Sequence, residues 1–111
     1  MNQYDRQIEL ISAQDASVGI TSVPYLLNGL RDYSLQVVFS DTSLEGSLTL
    51  ECSNNGVDFI TVKDSTQAIT AGAGHIWDVD GANYRWVRMT WAPSDGTGTM
   101  TAYLEIKGIE G

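Results

Sequence analysis

The chain has 111 residues, six of them basic and fourteen acidic, which gives a formal net charge of -8 at neutral pH. This length is typical of a single domain with one hydrophobic core, so we treat residues 1–111 as one domain. Nucleic acids and anionic membranes bind to clustered Lys and Arg, and this acidic composition predicts neither as a partner. Hydrophobic residues make up 42% of the chain, which excludes the composition typical of disordered proteins.

The chain has a single cysteine, Cys52, so no disulfide can form within it. Cys52 follows Leu48 and Leu50 at alternate positions, which predicts a small core residue rather than a nucleophile. Residues 1–6 are polar, and no apolar run has the length of a signal peptide or a membrane span. We therefore expect the chain to fold in a cytoplasm without a signal peptide.

Residues 1–31 give the weakest strand signal of the chain. Ile8 and Leu10 stand at alternate positions, residues 14–17 break the run, and residues 18–23 resume it. This pattern predicts two short strands. Pro24 then disfavours a central strand, because proline cannot donate a hydrogen bond to a neighbouring strand.

Residues 33–107 show a clear alternation of apolar and polar side chains, broken by turn residues. The turn sequence at 54–56, Asn-Asn-Gly, favours a hairpin. Short strands at this spacing, with no helical period, predict an all-β fold: a small antiparallel β-sandwich or jelly-roll. The residues predicted to face its core are Tyr33, Leu35, Val37, Phe39, Leu48, Leu50, Cys52, Val87, Met89, Trp91, Met100, Ala102, Leu104 and Ile106.

The sequence contains no arrangement that predicts catalysis. His75 is the only histidine, and the acidic residues fall mostly in turns or on predicted outer faces, so we expect no catalytic residue and no enzyme. Asp78 and Asp80 precede Gly81 like the start of a calcium loop, but the later ligands of that motif are missing. We therefore predict no metal and no cofactor, and keep calcium as a secondary hypothesis.

Flat aromatic side chains stack on sugar rings and dominate protein interfaces. The candidates are Trp77, Tyr84 and Trp86, together with Arg88, which shares a predicted strand face with Tyr84 and Trp86. We expect Arg85 and Arg88 to pair with carboxylates of a neighbouring subunit. This set predicts either a protein interface or a platform for stacking a glycan.

Four stretches of predicted strand and turn carry a family resemblance. They are YSLQVVF at 33–39, GSLTLECSNNG at 46–56, YRWVR at 84–88 and GTGTM at 96–100. In order and spacing they resemble a family of small β-sandwich proteins encoded by tailed bacteriophages and prophages. The resemblance implies a virion component of the capsid-decoration, head-fibre or tail-associated type, and it brings no catalytic or ligand residue with it.

Two functional hypotheses follow from the residues and the resemblance. The first is a non-enzymatic virion structural protein, a capsid decoration or head-associated protein that binds capsid or tail proteins as a homo-oligomer. The alternative is a carbohydrate-binding module, or a tail-associated protein that recognises host-surface glycans.

Overall fold

A computed structural model describes residues 3–109 of the chain and the side chains of residues 7–106. All strand pairs in this part of the chain are antiparallel, and they form two sheets. The strands are β1 (Gln3–Asp15), β2 (Ile20–Thr21), β3 (Tyr25–Leu26), β4 (Tyr33–Phe39), β5 (Glu45–Ser53), β6 (Ile60–Thr61), β7 (Gln67–Ile69), β8 (His75–Val79), β9 (Trp86–Asp95) and β10 (Thr99–Ile109).

The first sheet has the strand order β1-β10-β4-β8, and the second has the order β2-β9-β5-β6. In the second sheet β3 also pairs with β9, and β7 also pairs with β5. The two sheets enclose one core of buried apolar side chains. The predicted all-β sandwich is confirmed.

The core is built from alternate side chains of each long strand, as the period of two requires. Met100, Ala102, Leu104 and Ile106 of β10 all point inward and are buried, and the residues between them are half-buried on the outer face. The predicted inward faces of β4 and β9 are confirmed in the same way, except that Phe39 is only partly buried.

Trp91 of β9 joins the two sheets at the centre of this core. Its buried indole donates Nε1–H to the carbonyl oxygen of Ala16 at 2.9 Å, and its ring centroid lies 4.8 Å from that of Phe39 in the first sheet. A Cβ atom at Gly46 would lie 2.7 Å from Cη2 of the indole and would also clash with the backbone oxygen of Ala92. Glycine at position 46 therefore makes room for the indole.

The N-terminal segment has a strand at each of the two predicted places, but the first strand is longer than predicted. It is β1, with 13 residues, which pairs with β10 along the edge of the first sheet, and β2 lies within the second predicted run at 18–23. Register shifts occur between Glu9 and Ile11 and between Ile11 and Gln14. Because each extra residue reverses the alternation of side chains, Ile11 is buried where simple alternation predicted Leu10.

The turn segment at 80–83 follows β8 and does not form a hairpin. Its flanking strands β8 and β9 belong to different sheets, so the segment crosses the sandwich. The amides of Gly81 and Ala82 bond to the Asp32 carboxylate and the Arg31 carbonyl, at 3.0 and 2.8 Å. Turn residues indicate that a strand ends, but they do not determine which sheet receives the next strand.

We expect Gly46→Ala to lower the free energy of unfolding by about 1–3 kcal/mol, because the added methyl group overpacks the indole and the β9 backbone. Urea denaturation followed by tryptophan fluorescence measures this loss. Gly19→Ala is the control, since a Cβ there meets only one backbone oxygen, at 3.5 Å. Its effect should stay within about 0.5 kcal/mol. Equal losses in the two variants would contradict the proposed clash.

Candidate binding surface

Trp77 lies in the core and not on the surface. Its side chain is 8% exposed, and its indole donates Nε1–H to the carbonyl oxygen of Ser65 at 2.8 Å. His75 packs edge-on against the indole ring, with centroids 5.0 Å apart. Because the indole is enclosed by these contacts, it has no free face for a ligand, and we remove Trp77 from the candidate set.

Trp86 and Arg88 lie half-buried on the outer face of the second sheet. Arg88 donates from Nε to Oε1 of Glu51 at 2.7 Å, and its Cζ atom lies 4.0 Å from the centroid of the Phe59 ring. The charge of Arg88 is thus paired within the chain, which corrects the expectation of a carboxylate partner from a neighbouring subunit. The ion pair and the cation–π contact stabilise this face of the sheet.

The turn at 54–58 lies directly on Trp86. A Cβ at Gly56 would stand 3.1 Å from the indole Nε1, and the φ angle of +76° at Gly56 also favours glycine. The Asn55 side chain holds the turn by accepting hydrogen bonds from the amides of Val57 and Asp58, both at 2.9 Å. Part of the indole is therefore covered by the protein itself.

Tyr84 lies at one end of the sandwich, where three loops meet. The Arg85 amide donates to the Asn54 side chain at 3.2 Å, and the Arg85 carbonyl accepts from the Leu27 amide at 2.7 Å. The hydroxyl groups of Tyr84 and Tyr33 share a hydrogen bond of 2.8 Å. Burial raises the pKa of both phenols above the usual range, and the hydrogen bond to Tyr84 raises that of Tyr33 further.

Two open grooves meet at Tyr84, which lines both. The first groove, of about 370 Å³, is also lined by the side chains of Asn55, Asp58 and Ile60. The second groove, of about 330 Å³, is lined by Arg31, Asn83 and Arg85 among others. We call this region, with its two grooves, the loop end.

Cys52 lies at the border of the core and also lines the first groove. It was predicted to be a core residue, and it is half-buried because its strand ends beside the open groove. Burial raises the pKa of the thiol, so the reactive thiolate is scarce at neutral pH. This environment is the opposite of that of an activated nucleophile.

The candidate catalytic and metal-binding groups are not brought together. Among residues 7–106, no three His, Cys, Asp or Glu side chains are placed to hold a metal ion. Asp78 pairs in register with Ser34 on the outer face of the first sheet. Burial lowers the pKa of His75, which favours its neutral form. The described chain also has no helix suited to crossing a bilayer.

The outer face of the first sheet carries an apolar patch that was not predicted from the sequence. Val38 is 36% exposed and Ile76 is 54% exposed. In the strand register Gln36 stands opposite both Ile76 and Tyr103, so these side chains share one face. We call this patch, formed by Val38, Ile76, Tyr103 and the intervening Gln36, the β4–β8 face. The sequence signal for this patch is Val38, because the alternation of β4 places polar residues at the neighbouring outward positions.

The comparisons with known proteins identify the fold. No family model matches the sequence, and no curated protein sequence matches it. The structure of the SPBc2 prophage-derived protein YomS matches with a TM-score of 0.69 and 13% identity, over 95% of this chain and 96% of that one. The PBSX exported protein XepA matches with a TM-score of 0.69 and 16% identity, over 96% of this chain and 38% of that one.

A chain from the structure of infectious bursal disease virus, Gx strain, matches more distantly. The TM-score is 0.57 and the identity 11%, over 96% of this chain and 32% of that one. At such identities the matches show a shared fold. This chain is thus an all-β sandwich of a kind also found in prophage-derived proteins, and the fold expected from the sequence resemblance is confirmed.

The buried phenol of Tyr33 should make stability fall above pH 10. Its pKa is 10.0 in the unfolded chain and higher in the folded protein, so the unfolded state loses the proton first. Stability is then complete below pH 10 and falls by about 1.4 kcal/mol per pH unit above it. Urea denaturation between pH 8 and 11, compared between the wild type and Tyr33→Phe, measures this difference. Tyr103→Phe, at a surface tyrosine, should keep the wild-type slope, and parallel curves for wild type and Tyr33→Phe would contradict the assignment.

We expect the Cys52 thiol to react slowly in the folded protein, because it is half-buried and its pKa is raised. A chromogenic disulfide reagent at pH 8 should modify it about tenfold or more slowly than the same thiol in urea. Reaction rates that are equal in the folded and unfolded protein would show that the thiol is accessible and activated. Since there is one cysteine in the chain, the signal has a single source.

Proposed function

We propose that this chain is a non-enzymatic structural protein of a bacteriophage particle that binds the particle surface as a homo-oligomer. The observation that carries the proposal is the fold shared with a prophage-derived protein over nearly the full length of both chains. The sequence resemblance to small phage β-sandwich proteins points to the same role. A fold of this kind supports many functions, so the role rests on its surfaces.

The β4–β8 face has the composition of a contact surface. Val38 and Ile76 are exposed beside the ring of Tyr103, and the charged residues of the same sheet face lie around them. An apolar centre with a polar rim is typical of protein interfaces, and exposed apolar side chains grouped on one sheet indicate a partner. The charged residues at its rim are Glu9, Asp78 and Glu105.

We favour this face over the open edge of β1 as the oligomer contact. A second chain could in principle continue the first sheet by pairing with β1, as exposed edge strands allow. The register shifts on either side of Ile11 interrupt the ladder of β1 between residues 9 and 14, which limits its longest regular run to residues 3–9. A continuous edge-to-edge contact is therefore less favourable there than face-to-face packing.

Decoration of an existing capsid suits the size and the charge of this protein. The β4–β8 face joins the copies of the oligomer, while the rest of each small domain, with a net charge of -8, stays hydrated. The oligomer then attaches to the particle through several copies at once, which strengthens binding. A tail-associated position uses the same kind of surface, and binding to separated heads and tails distinguishes the two placements.

The glycan alternative loses its tryptophan platform. Trp77 is buried and bonded to Ser65, and part of Trp86 is covered by the turn at 54–58. Of the three aromatic candidates, Tyr84 keeps an open position beside two grooves. Among these candidates, Tyr84 at the loop end is therefore the best placed to contact a carbohydrate.

We expect Ile76→Lys to dissociate the oligomer and to weaken binding to purified particles by about tenfold or more, because it buries an unpaired charge in the interface. Native mass spectrometry gives the oligomeric state, and sedimentation with particles gives the affinity. Ile60→Lys is the matched control, since Ile60 is 70% exposed on the other sheet. A wild-type monomer without affinity for particles would overturn the proposal, and equal effects of the two variants would exclude the β4–β8 face.

A further inference from the structure

The positive charge at the loop end is unpaired in a chain dominated by acidic residues. Arg31 and Arg85 are both exposed and line the second groove. Among residues 7–106 neither guanidinium has a carboxylate within 4.0 Å, whereas Arg88 is paired with Glu51. Two arginines without a carboxylate partner in one groove attract an anion to it.

The backbone at both arginines is fixed before any ligand binds. The Arg31 carbonyl accepts from the Ala82 amide at 2.8 Å, and its Nη2 donates to Oδ1 of Asn83 at 3.2 Å. The Arg85 backbone is bonded on both sides, to Asn54 and to Leu27. Most guanidinium donors stay free, and they have the fork geometry that suits a carboxylate. The loop end therefore presents two exposed arginines on a backbone that is held in place.

The first groove differs in charge from the second, so the two grooves favour different parts of a ligand. It presents Asn55 and the Asp58 carboxylate, whose Oδ2 accepts from Nδ2 of Asn55 at 3.0 Å. An anionic group is repelled by Asp58, whereas the hydroxyl groups of a neutral sugar can bond to amide and carboxylate side chains. Tyr84 is half-buried and lines both grooves, so the exposed part of its side chain can contact a sugar bound there.

The net charge of the chain limits which anions can bind. A total of -8 repels a ligand with contiguous negative charges, such as an acidic peptide run, before it reaches the two arginines. A ligand whose charges are separated by neutral units is repelled less. It can place a charged unit in the second groove and the adjoining neutral unit in the first. A carbohydrate polymer of alternating uronic acid and neutral sugar has this spacing.

We propose that the loop end binds an acidic oligosaccharide, with a uronate carboxylate between Arg31 and Arg85 and the adjoining neutral sugar against Tyr84, Asn55 and Asp58. The site goes beyond the docking role proposed above and does not depend on it. It lies at the end of the sandwich, whereas the docking role is assigned to the β4–β8 face. Failure of Ile76→Lys to change particle binding would leave this site unaffected.

Isothermal titration calorimetry with a hyaluronan tetrasaccharide, in which glucuronate alternates with N-acetylglucosamine, tests the proposal on the full chain. An unsulfated chondroitin tetrasaccharide is the second ligand, in which the neutral sugar is the C4 epimer of N-acetylglucosamine. We expect saturable binding of at least one of them, weakened by about tenfold or more when the carboxylates are reduced to alcohols. Arg31→Gln and Arg85→Gln should each produce a similar loss. Lys63→Gln removes the same charge from an exposed residue that lines neither groove, and it should retain the affinity within about twofold.

Three results would overturn the proposal. The first is no saturable binding of either tetrasaccharide. The second is binding that is unchanged in both arginine variants, or that falls equally in Lys63→Gln, which would reflect net charge alone. The third is tighter binding of an oligoglutamate peptide than of the oligosaccharides, which would assign the groove to a protein partner. Unchanged circular dichroism of the variants confirms that each remains folded.

Discussion

The indole of Trp91 is the group on which both sheets of this sandwich converge. It extends from β9 in the second sheet, meets Phe39 of the first sheet, and bonds to the carbonyl oxygen of Ala16. Gly46 on the neighbouring strand gives it room. Because the interior is filled in this way, little space remains for a buried active site, and the surfaces that can act are the outer sheet faces and the loops at the ends.

The fold between residues 33 and 107 could be predicted because each strand there buries one face, so its sequence alternates. Two features could not be predicted, because each depends on contacts between distant parts of the chain. The register shifts that bury Ile11 come from the pairing of β1 with β10, and the crossing at 80–83 depends on which sheet accepts β9. Trp77 was misplaced because an aromatic residue in a strand looks the same from sequence whether it is buried or exposed.

The candidate site was predicted in part. Tyr84 was identified by its chemistry, but its neighbour Arg31 precedes it by more than fifty residues and lies in the weakly patterned N-terminal third. The two meet because hydrogen bonds from backbone amides join the segments around Leu27, Asn54 and Ala82, the one at Asn54 being accepted by its side chain. The predicted external partner for Arg88 proved to be Glu51 of the same sheet, a pairing that depends on strand register. Sequence patterns therefore identified the residue types of the surface and missed their groupings.

The register shifts of β1 have a consequence for crowded copies of this chain. Edge strands with regular ladders add to one another and seed fibres when the local concentration is high. In β1 the pairing is regular over residues 3–9, and the two shifts interrupt it between Glu9 and Gln14, so the run of backbone groups in phase is shorter than the strand. The shifts thus shorten the length of edge over which neighbouring copies in a crowded assembly can pair, which works against irreversible sheet growth.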